Sequence, residues 1–181
     1  RIVGVPRRPD GPDLVRLEAL VRAHRPRLFV TSSVLHNPTS TSMAASTAFS
    51  ILRMAAEHDF IVVEDDIYCD LHAGGAAPAA VRLASLDQLQ RVIYLGGFSK
   101  TLAANLRVGF VACAPDLARR LTDLKMLIGL TSPEFGERIV YRVLSEGHYR
   151  RHLHRLRDRM NRTRDGVLRQ LEWLGLTPFA A

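Results

Sequence analysis

Lysine is nearly absent from this 181-residue sequence, although lysine and arginine together number 25. Lys100 and Lys125 are the only lysines, so arginine supplies almost all of the positive charge. Arginine keeps its proton and forms no imine, whereas a lysine side chain loses its proton and forms an imine when it is desolvated. A lysine in such a background is therefore a candidate for chemistry and not for charge alone.

Cysteine and long apolar runs are also scarce. Cys69 and Cys113 form no CxxC pair, which excludes a disulfide framework and fits a reducing cytoplasm. No run reaches the roughly 18 apolar residues of a membrane helix, and no signal segment is visible. The histidines lack metal-ligand spacing, and the Gly96-Gly97 pair lacks the spacing of a nucleotide-binding glycine motif. We therefore expect a cytoplasmic chain with no metal and no membrane partner.

The composition, 47% hydrophobic and 24% charged, is that of a globular protein of about one domain. The chain begins without Met inside "RIVGVP", which has the pattern of a strand, so we expect a fragment of a longer protein. The net charge of +7 is densest between residues 148 and 175, where leucines recur at helical spacing. The pattern predicts an amphipathic helix with a solvated basic face and no DNA contact.

Strand and helix patterns alternate along the rest of the chain. The segments "RLFVTSS", "FIVVEDD", "RVIYLGG" and "RVGFVAC" predict four strands. Helices are predicted over "DGPDLVRLEALVRAHRPR" and over "MAASTAFSILRMAAEHD", the second with a Thr41/Ser42 cap, and again from Pro115 to Gly129 and from Pro133 to Gly147. This alternation predicts an α/β fold with a mostly parallel central sheet and helices on both faces.

Polar side chains come after the first three predicted strands. Asn37 follows the first strand, Asp65 ends the second, and Lys100 follows the third. Ligands of open α/β sheets bind outside the carboxyl ends of the strands, so we expect these groups to share one crevice. The sequence thus offers an amide, a carboxylate and a buried amine to a single site.

Pyridoxal 5'-phosphate is a cofactor that uses this set of groups. Its aldehyde forms a Schiff base with a lysine, here Lys100, and an aspartate, here Asp65, keeps its ring nitrogen protonated. Tyr68 and Asn37 would reach the ring oxygen, while Arg107 is predicted to bind the phosphate. Ser99 and the backbone amides of the glycine-rich turn are predicted as further phosphate contacts.

Three motifs in this order resemble the fold type I pyridoxal-phosphate enzymes, the aminotransferase superfamily. They are "HNPTSTS" for the N-P-T-G turn, "VVEDDIY" for the D-x-x-Y strand end, and "GGFSKTLAANLRVGF" for the lysine segment. The resemblance covers essentially the whole chain. It implies a cofactor held as an internal aldimine on Lys100, and the same roles for the other predicted residues.

Within the superfamily, the segments around "RRPDGPDLVRLEALV" and "EGHYRRHLHRLRDRMNRTRDGVL" are similar to the MocR-type regulators. These proteins fuse an aminotransferase-like domain to an N-terminal winged helix-turn-helix of the GntR type. The resemblance implies a homodimer, an amino acid or other amino compound as ligand, and DNA binding only through an N-terminal domain that this chain lacks. Residues 1–147 would be the cofactor-binding large-domain portion, and 148–181 the long helix and start of a smaller C-terminal α+β domain.

The chain departs from the family pattern at two positions. Ser40 replaces the glycine of the N-P-T-G turn, although glycine suits unusual backbone angles there. Gly97 replaces a hydroxyl residue often found three positions before the lysine, so the phosphate would depend more on Ser99 and Arg107.

The motifs leave several functions open. The leading hypothesis is a transcription regulator that senses an amino compound, or the cofactor itself, at Lys100. The alternative is a freestanding class I/II aminotransferase, in which Lys100 moves a proton between substrate and cofactor. A cofactor-free binding module is a third possibility, and a piece that neither folds nor binds cofactor alone is a fourth.

Overall fold

The computed structural model of the chain describes residues 1–72, 81–129 and 131–177. Its strands are β1 (Arg7–Arg8), β2 (Gly11–Pro12), β3 (Leu28–Thr31), β4 (Ile61–Asp65), β5 (Val92–Gly97) and β6 (Gly109–Ala112). Its helices are α1 (Leu14–His24), α2 (Ala45–His58), α3 (Leu83–Asp87), α4 (Pro115–Gly129), α5 (Glu134–Ser145) and α6 (His148–Trp173). Short 3₁₀ turns cover Cys69–Leu71 and Ala104–Leu106.

The main sheet has the strand order β3-β4-β5-β6. β3, β4 and β5 are parallel, with Asp65 at the end of β4 opposite Leu95 of β5. β6 returns antiparallel to β5, with Gly97 opposite Gly109. Helix α2 lies between β3 and β4, and α3 lies between β4 and β5, because parallel pairing requires a crossover connection. The predicted α/β fold with a mostly parallel sheet is confirmed, and its last strand is antiparallel.

The apolar core lies between the sheet and helices α1, α2 and α3. Ile51 of α2, Phe60 before β4 and Leu83 of α3 are fully buried there, together with Val62 and Val92 of the two central strands. Side chains alternate along β4 between buried and half-buried, so only one of its faces is fully covered by the described residues. The core therefore fixes the central strands whose ends carry the polar groups.

Helix α1 agrees closely with its sequence signals. The Asp13 carboxylate accepts a hydrogen bond from the Arg16 amide at 3.0 Å and so caps the N-terminus. Leu17 and Val21 face the core, and the helix ends at His24, two residues before Pro26. The helix predicted for this segment is confirmed, and it occupies Leu14–His24.

Two local predictions are wrong. Residues 1–6 form no regular strand, and the first pairing is the short antiparallel contact of β1 with β2. Helix α2 has Ala44 at its N-cap, with no side-chain cap, instead of the predicted Thr41/Ser42 cap. The two hydroxyls serve the preceding loop instead, because Ser42 accepts from the Leu35 amide and Thr41 from the Arg7 guanidinium.

Helix α6 begins at His148, where the sequence predicts a second domain to start. Its first half packs against α5 and against the Cys69–Leu71 turn. The division into portions 1–147 and 148–181 stays a prediction. No helix in the described parts of the chain is both long and apolar enough to cross a membrane.

The uncapped start of α2 gives a stability prediction. Ala44 has the extended backbone of an N-cap residue, φ −70° and ψ 150°, so a hydroxyl there can accept from the first turn. We expect Ala44→Ser to raise the free energy of unfolding of the full-length protein by about 1 kcal/mol. Urea denaturation measures the change.

The matched control is Ala45→Ser, one residue inside the helix. A serine there caps nothing and has a lower helix propensity than alanine, so the free energy of unfolding should fall slightly. An equal gain from both substitutions would contradict the assignment of Ala44 as the N-cap.

Candidate functional site

The first site segment is the loop after β3. The side-chain amide of Asn37 donates a hydrogen bond to the Tyr68 hydroxyl oxygen, with 3.4 Å between Nδ2 and the oxygen. The Asn37–Pro38 peptide bond is cis. Residues separated by a whole helix and strand therefore meet at the carboxyl edge of the sheet, as the order of the strand ends predicts.

The same loop closes on itself through its backbone. The His36 amide donates to the Thr41 carbonyl at 2.9 Å, and the Ser40 amide donates to the His36 carbonyl at 2.6 Å. Ser40 has a φ of 56°, in the left-handed region that favours glycine. Serine therefore occupies a left-handed position of this turn, the position at which the sequence comparison with the N-P-T-G pattern expects glycine.

Lys100 lies just after β5 and faces Tyr68. Its Nζ atom is 5.8 Å from the centre of the Tyr68 ring, so the ammonium group and the aromatic face are in contact range. The sequence predicts a buried lysine, whereas Lys100 is exposed in the part of the chain that the structure describes. The reason is geometric: β5 ends at Gly97, and the lysine belongs to the turn beyond the sheet edge.

A cavity of about 320 Å³ lies beside Lys100. Ser99 and Arg107 line it together with Lys100, and the remaining lining is Ile67, Gly96, Gly97, Val108 and Gly109. Two cations and a hydroxyl thus share one opening, which is the donor set that a phosphate prefers. The structure thus brings Ser99, Lys100 and Arg107 together around one cavity, and their roles as cofactor contacts stay a prediction.

Asp65 lies on the other side of this arrangement. Its Oδ1 atom accepts from the Ile67 amide at 3.4 Å. The residue lines a neighbouring cavity of about 960 Å³ with His36, Thr31 and Arg7, and it is not among the described residues around the smaller cavity. The structure therefore places Asp65 at the same sheet edge as the other predicted residues, but it opens to a different space.

Two buried carboxylates, Glu64 and Asp66, flank Asp65, and the sequence motifs give a role to neither of them. Glu64 is fully buried and accepts hydrogen bonds from the backbone amides of Leu83 and Ala84, each at 2.8 Å, and from the Ser33 hydroxyl. Burial raises the pKa of Glu64. This carboxylate caps α3 and ties it to β4 and to the loop after β3.

Asp66 is the second buried carboxylate. Its Oδ2 atom pairs with Arg82 at 2.8 Å and accepts from the Tyr94 hydroxyl at 3.0 Å. Burial raises the pKa of Asp66 as well. The only signal in the sequence was a run of acidic residues that ends an otherwise apolar strand, and it does not reveal which of the carboxylates is buried.

Among residues 1–72, 81–129 and 131–177, no group of three His, Cys, Asp or Glu side chains could hold a metal ion. The chemistry of the described site therefore comes from an amine, a guanidinium, a phenol, an amide and a carboxylate. Such a set binds an anionic and aromatic organic molecule better than it binds a cation.

The sequence matches the family described as aminotransferase class I and II over residues 6–181. It is 36% identical to a 2-aminoadipate transaminase of Thermus thermophilus over 153 residues, which is 81% of this chain and 37% of that protein. It is also 29% identical to an HTH-type transcriptional regulator of Bacillus subtilis over 175 residues, 95% of this chain and 35% of that protein. The chain thus spans little more than a third of these relatives.

Solved structures share the fold. The alpha-aminoadipate aminotransferase LysN of Thermus thermophilus, complexed with N-(5'-phosphopyridoxyl)-L-leucine, superposes with a TM-score of 0.86 at 32% identity. The match covers 95% of this chain and 44% of that one. The kynurenine aminotransferase of Pyrococcus horikoshii gives a TM-score of 0.87 at 30% identity, over 94% of this chain and 43% of that one.

A buried glycine holds the turn that carries Arg107. A Cβ atom on Gly136 of α5 would lie 2.7 Å from the Leu106 carbonyl oxygen, which is backbone and cannot rotate away. We expect Gly136→Ala to lower the free energy of unfolding by about 1–3 kcal/mol, because the overpacked helix must shift. Denaturant unfolding of the full-length protein tests this.

Gly166 of α6 supplies a control of opposite sign. A Cβ atom there has no neighbour within 4 Å among the described atoms, so alanine adds helix propensity without a clash. Gly166→Ala should raise the free energy of unfolding by about 0.5–1 kcal/mol. Stabilisation by Gly136→Ala would show that α5 does not pack on residue 106 as described.

Proposed function

The chain belongs to the aminotransferase class I and II family, and we propose that it binds pyridoxal 5'-phosphate covalently through Lys100. The contact of Lys100 with Tyr68, beside a cavity that Arg107 and Ser99 also line, is the observation that carries this proposal. The cofactor of this family is pyridoxal 5'-phosphate, and one of the solved relatives was complexed with a phosphopyridoxyl amino acid.

The residues present fit that cofactor by chemistry. Ser99 and Arg107 line the cavity next to Lys100 and would hold the phosphate through a hydroxyl and a guanidinium. The Asn37 amide and Tyr68 hydroxyl are already paired at 3.4 Å and would hold the ring oxygen. Asp65 lines the neighbouring cavity at the same sheet edge, so the proposal requires the cofactor ring to extend from the phosphate contacts toward Asp65, whose carboxylate accepts only the Ile67 amide among the described contacts.

Pyridoxal phosphate supplies an electron sink that acidifies the α-carbon proton of an attached amino compound. The chain's own groups then have separate tasks. Lys100 would anchor the aldehyde carbon, and the Asp65 carboxylate would favour the protonated form of the ring nitrogen. Arg107 would balance part of the phosphate charge through its guanidinium, which can donate two parallel hydrogen bonds.

We propose further that the full protein is a transcription regulator in which this domain senses an amino compound or the cofactor. Support comes from the HTH-type regulator of Bacillus subtilis, which is similar over 95% of this chain. The ligand would shift the protein between two conformations by binding one more tightly. DNA binding would belong to an N-terminal domain outside these residues, and the protein would act as a homodimer in the cytoplasm.

A freestanding aminotransferase is the second candidate. The observation in its favour is the 36% identity to a 2-aminoadipate transaminase. In this case the Lys100 amine, once released from the cofactor, would be the base that moves the α-carbon proton. The site residues are the same for both candidates, so the site alone does not separate them.

Because this sequence has so few lysines, covalent binding of the cofactor through Lys100 can be tested by substitution. Full-length protein with added pyridoxal phosphate should show a visible absorption band that borohydride converts into a covalent adduct. Lys100→Ala should abolish both band and adduct, because the amine that faces Tyr68 and the cavity is then gone. Lys125→Ala, which changes the only other lysine of this sequence, should keep them. A trapped adduct in Lys100→Ala protein would contradict the assignment.

Arg107 gives a graded test of the phosphate contact. Arg107→Gln should weaken pyridoxal phosphate binding by about tenfold or more, because one charge-assisted bond of about 1.5–3 kcal/mol is lost. Binding of pyridoxal, which has no phosphate, should change little. Equal losses for both compounds would show that Arg107 does not contact the phosphate.

Regulator and enzyme are separated by two assays on the full-length protein. A regulator should bind DNA upstream of its own gene with an affinity that an amino compound changes, and should turn over amino donor and keto acid pairs slowly or not at all. Rapid transamination without DNA binding would establish the second candidate.

A further inference from the structure

The first turn of α6 contacts two segments next to the candidate site through Tyr149. The Tyr149 hydroxyl oxygen lies 2.7 Å from Asp70 Oδ2 and 2.9 Å from Thr101 Oγ1. A phenol carries one proton, so donation to the carboxylate leaves its oxygen to accept from the threonine hydroxyl. The half-buried Tyr149 therefore joins two segments that are 79 and 48 residues away in sequence.

Both joined residues are next to predicted cofactor contacts. Asp70 comes two positions after Tyr68, and Thr101 directly follows Lys100. Thr101 is 2% exposed, so its hydroxyl needs a partner inside the protein and Tyr149 provides it. The bridge thus joins the two segments that carry Tyr68 and Lys100, the pair whose Nζ-to-ring distance is 5.8 Å.

Other contacts fix α6 in this place. His152 Nε2 lies 2.7 Å from the Thr101 carbonyl oxygen, and Arg157 Nε donates to the Asp70 carbonyl oxygen at 2.7 Å. The Tyr149 ring packs edge-on against Phe98 with 5.7 Å between ring centres. His152 therefore contacts the Thr101 segment, and Arg157 contacts the Asp70 segment. Among the described contacts of α6, the Tyr149 hydroxyl contacts both the Asp70 segment and the Thr101 segment.

Burial and the neighbouring Asp70 carboxylate raise the pKa of Tyr149. The phenol consequently keeps its proton at physiological pH, and its donation to Asp70 persists. A neutral donor held between a carboxylate and a buried hydroxyl has one favourable arrangement, which restricts how far the two segments can separate.

We propose that Tyr149 is a positioning residue of the cofactor site, which sets the separation of Lys100 from Tyr68 by tying the segments next to them to α6. The proposal rests on the proposed binding of pyridoxal phosphate at Lys100. If Tyr149 has this role, a displacement of α6 also changes the geometry at Lys100, because the Tyr149 hydroxyl is hydrogen-bonded to both segments.

The test is Tyr149→Phe in the full-length protein, which removes one hydroxyl and keeps the ring against Phe98. We expect the dissociation constant for pyridoxal phosphate to rise by about three- to tenfold. The pH midpoint of the visible cofactor band should move by about half a unit or more, because the groups around Lys100 are no longer fixed. Tyr141→Phe is the matched control, since Tyr141 is 70% exposed on α5, and it should leave both values unchanged.

A second pair of variants keeps the test valid if Tyr149→Phe fails to fold. Thr101→Val removes the buried hydroxyl and leaves the Tyr149–Asp70 bond, whereas Thr101→Ser keeps the hydroxyl. We expect the valine variant to shift the band midpoint and the serine variant to restore it.

The possible outcomes separate the two proposals. A shifted midpoint supports positioning, because a purely structural role would lower the unfolding temperature and leave the midpoint in place. An unchanged midpoint and affinity in a protein that binds the cofactor would overturn the role of Tyr149 alone. A wild-type protein that shows no cofactor band would overturn the proposed function, and this proposal with it.

Discussion

The parallel alignment of β3, β4 and β5 is the constraint on which the candidate site depends, because it brings three chain segments to one edge of the sheet. The pairing continues to the last residue of β4, where Asp65 lies opposite Leu95. Without that register, the Asn37 loop, the Tyr68 segment and the Lys100 turn would not meet. The apolar side chains of the core hold the register, since a slip by one residue would turn Val62 and Val92 out of it.

Buried polar contacts then fix the segments around the end of β4. Glu64 connects β4 with the first turn of α3 and with Ser33 after β3, so one carboxylate joins three segments around the core. Asp66 likewise connects the end of β4 with Arg82 and with Tyr94 of β5. A buried carboxylate without such partners would be strongly destabilising, which makes these contacts conditions of the fold. Asp65, between them, has few contacts among the described residues, which leaves its carboxylate available to a ligand.

Much of this arrangement was predictable from the sequence. Helix α1 is indicated by its apolar spacing and Pro26, and the site by the order of Asn37, Asp65 and Lys100 after predicted strands. These signals are local, or they depend on general rules for parallel sheets. The exposure of Lys100 and the separate cavity of Asp65 were not predictable, because they depend on how far each turn extends past the sheet.

The contacts of α6 were beyond the reach of sequence patterns for another reason. Tyr149 and Arg157 lie in a helix whose leucine spacing predicts only an apolar face, and nothing in that spacing pairs them with Asp70.

Whether Lys100 is the residue that binds the cofactor covalently is decided by digesting the borohydride-reduced, cofactor-loaded protein and locating the adduct by mass spectrometry. The adduct should lie on the peptide that contains Lys100; an adduct on Lys125, or none on either lysine, would contradict the site described.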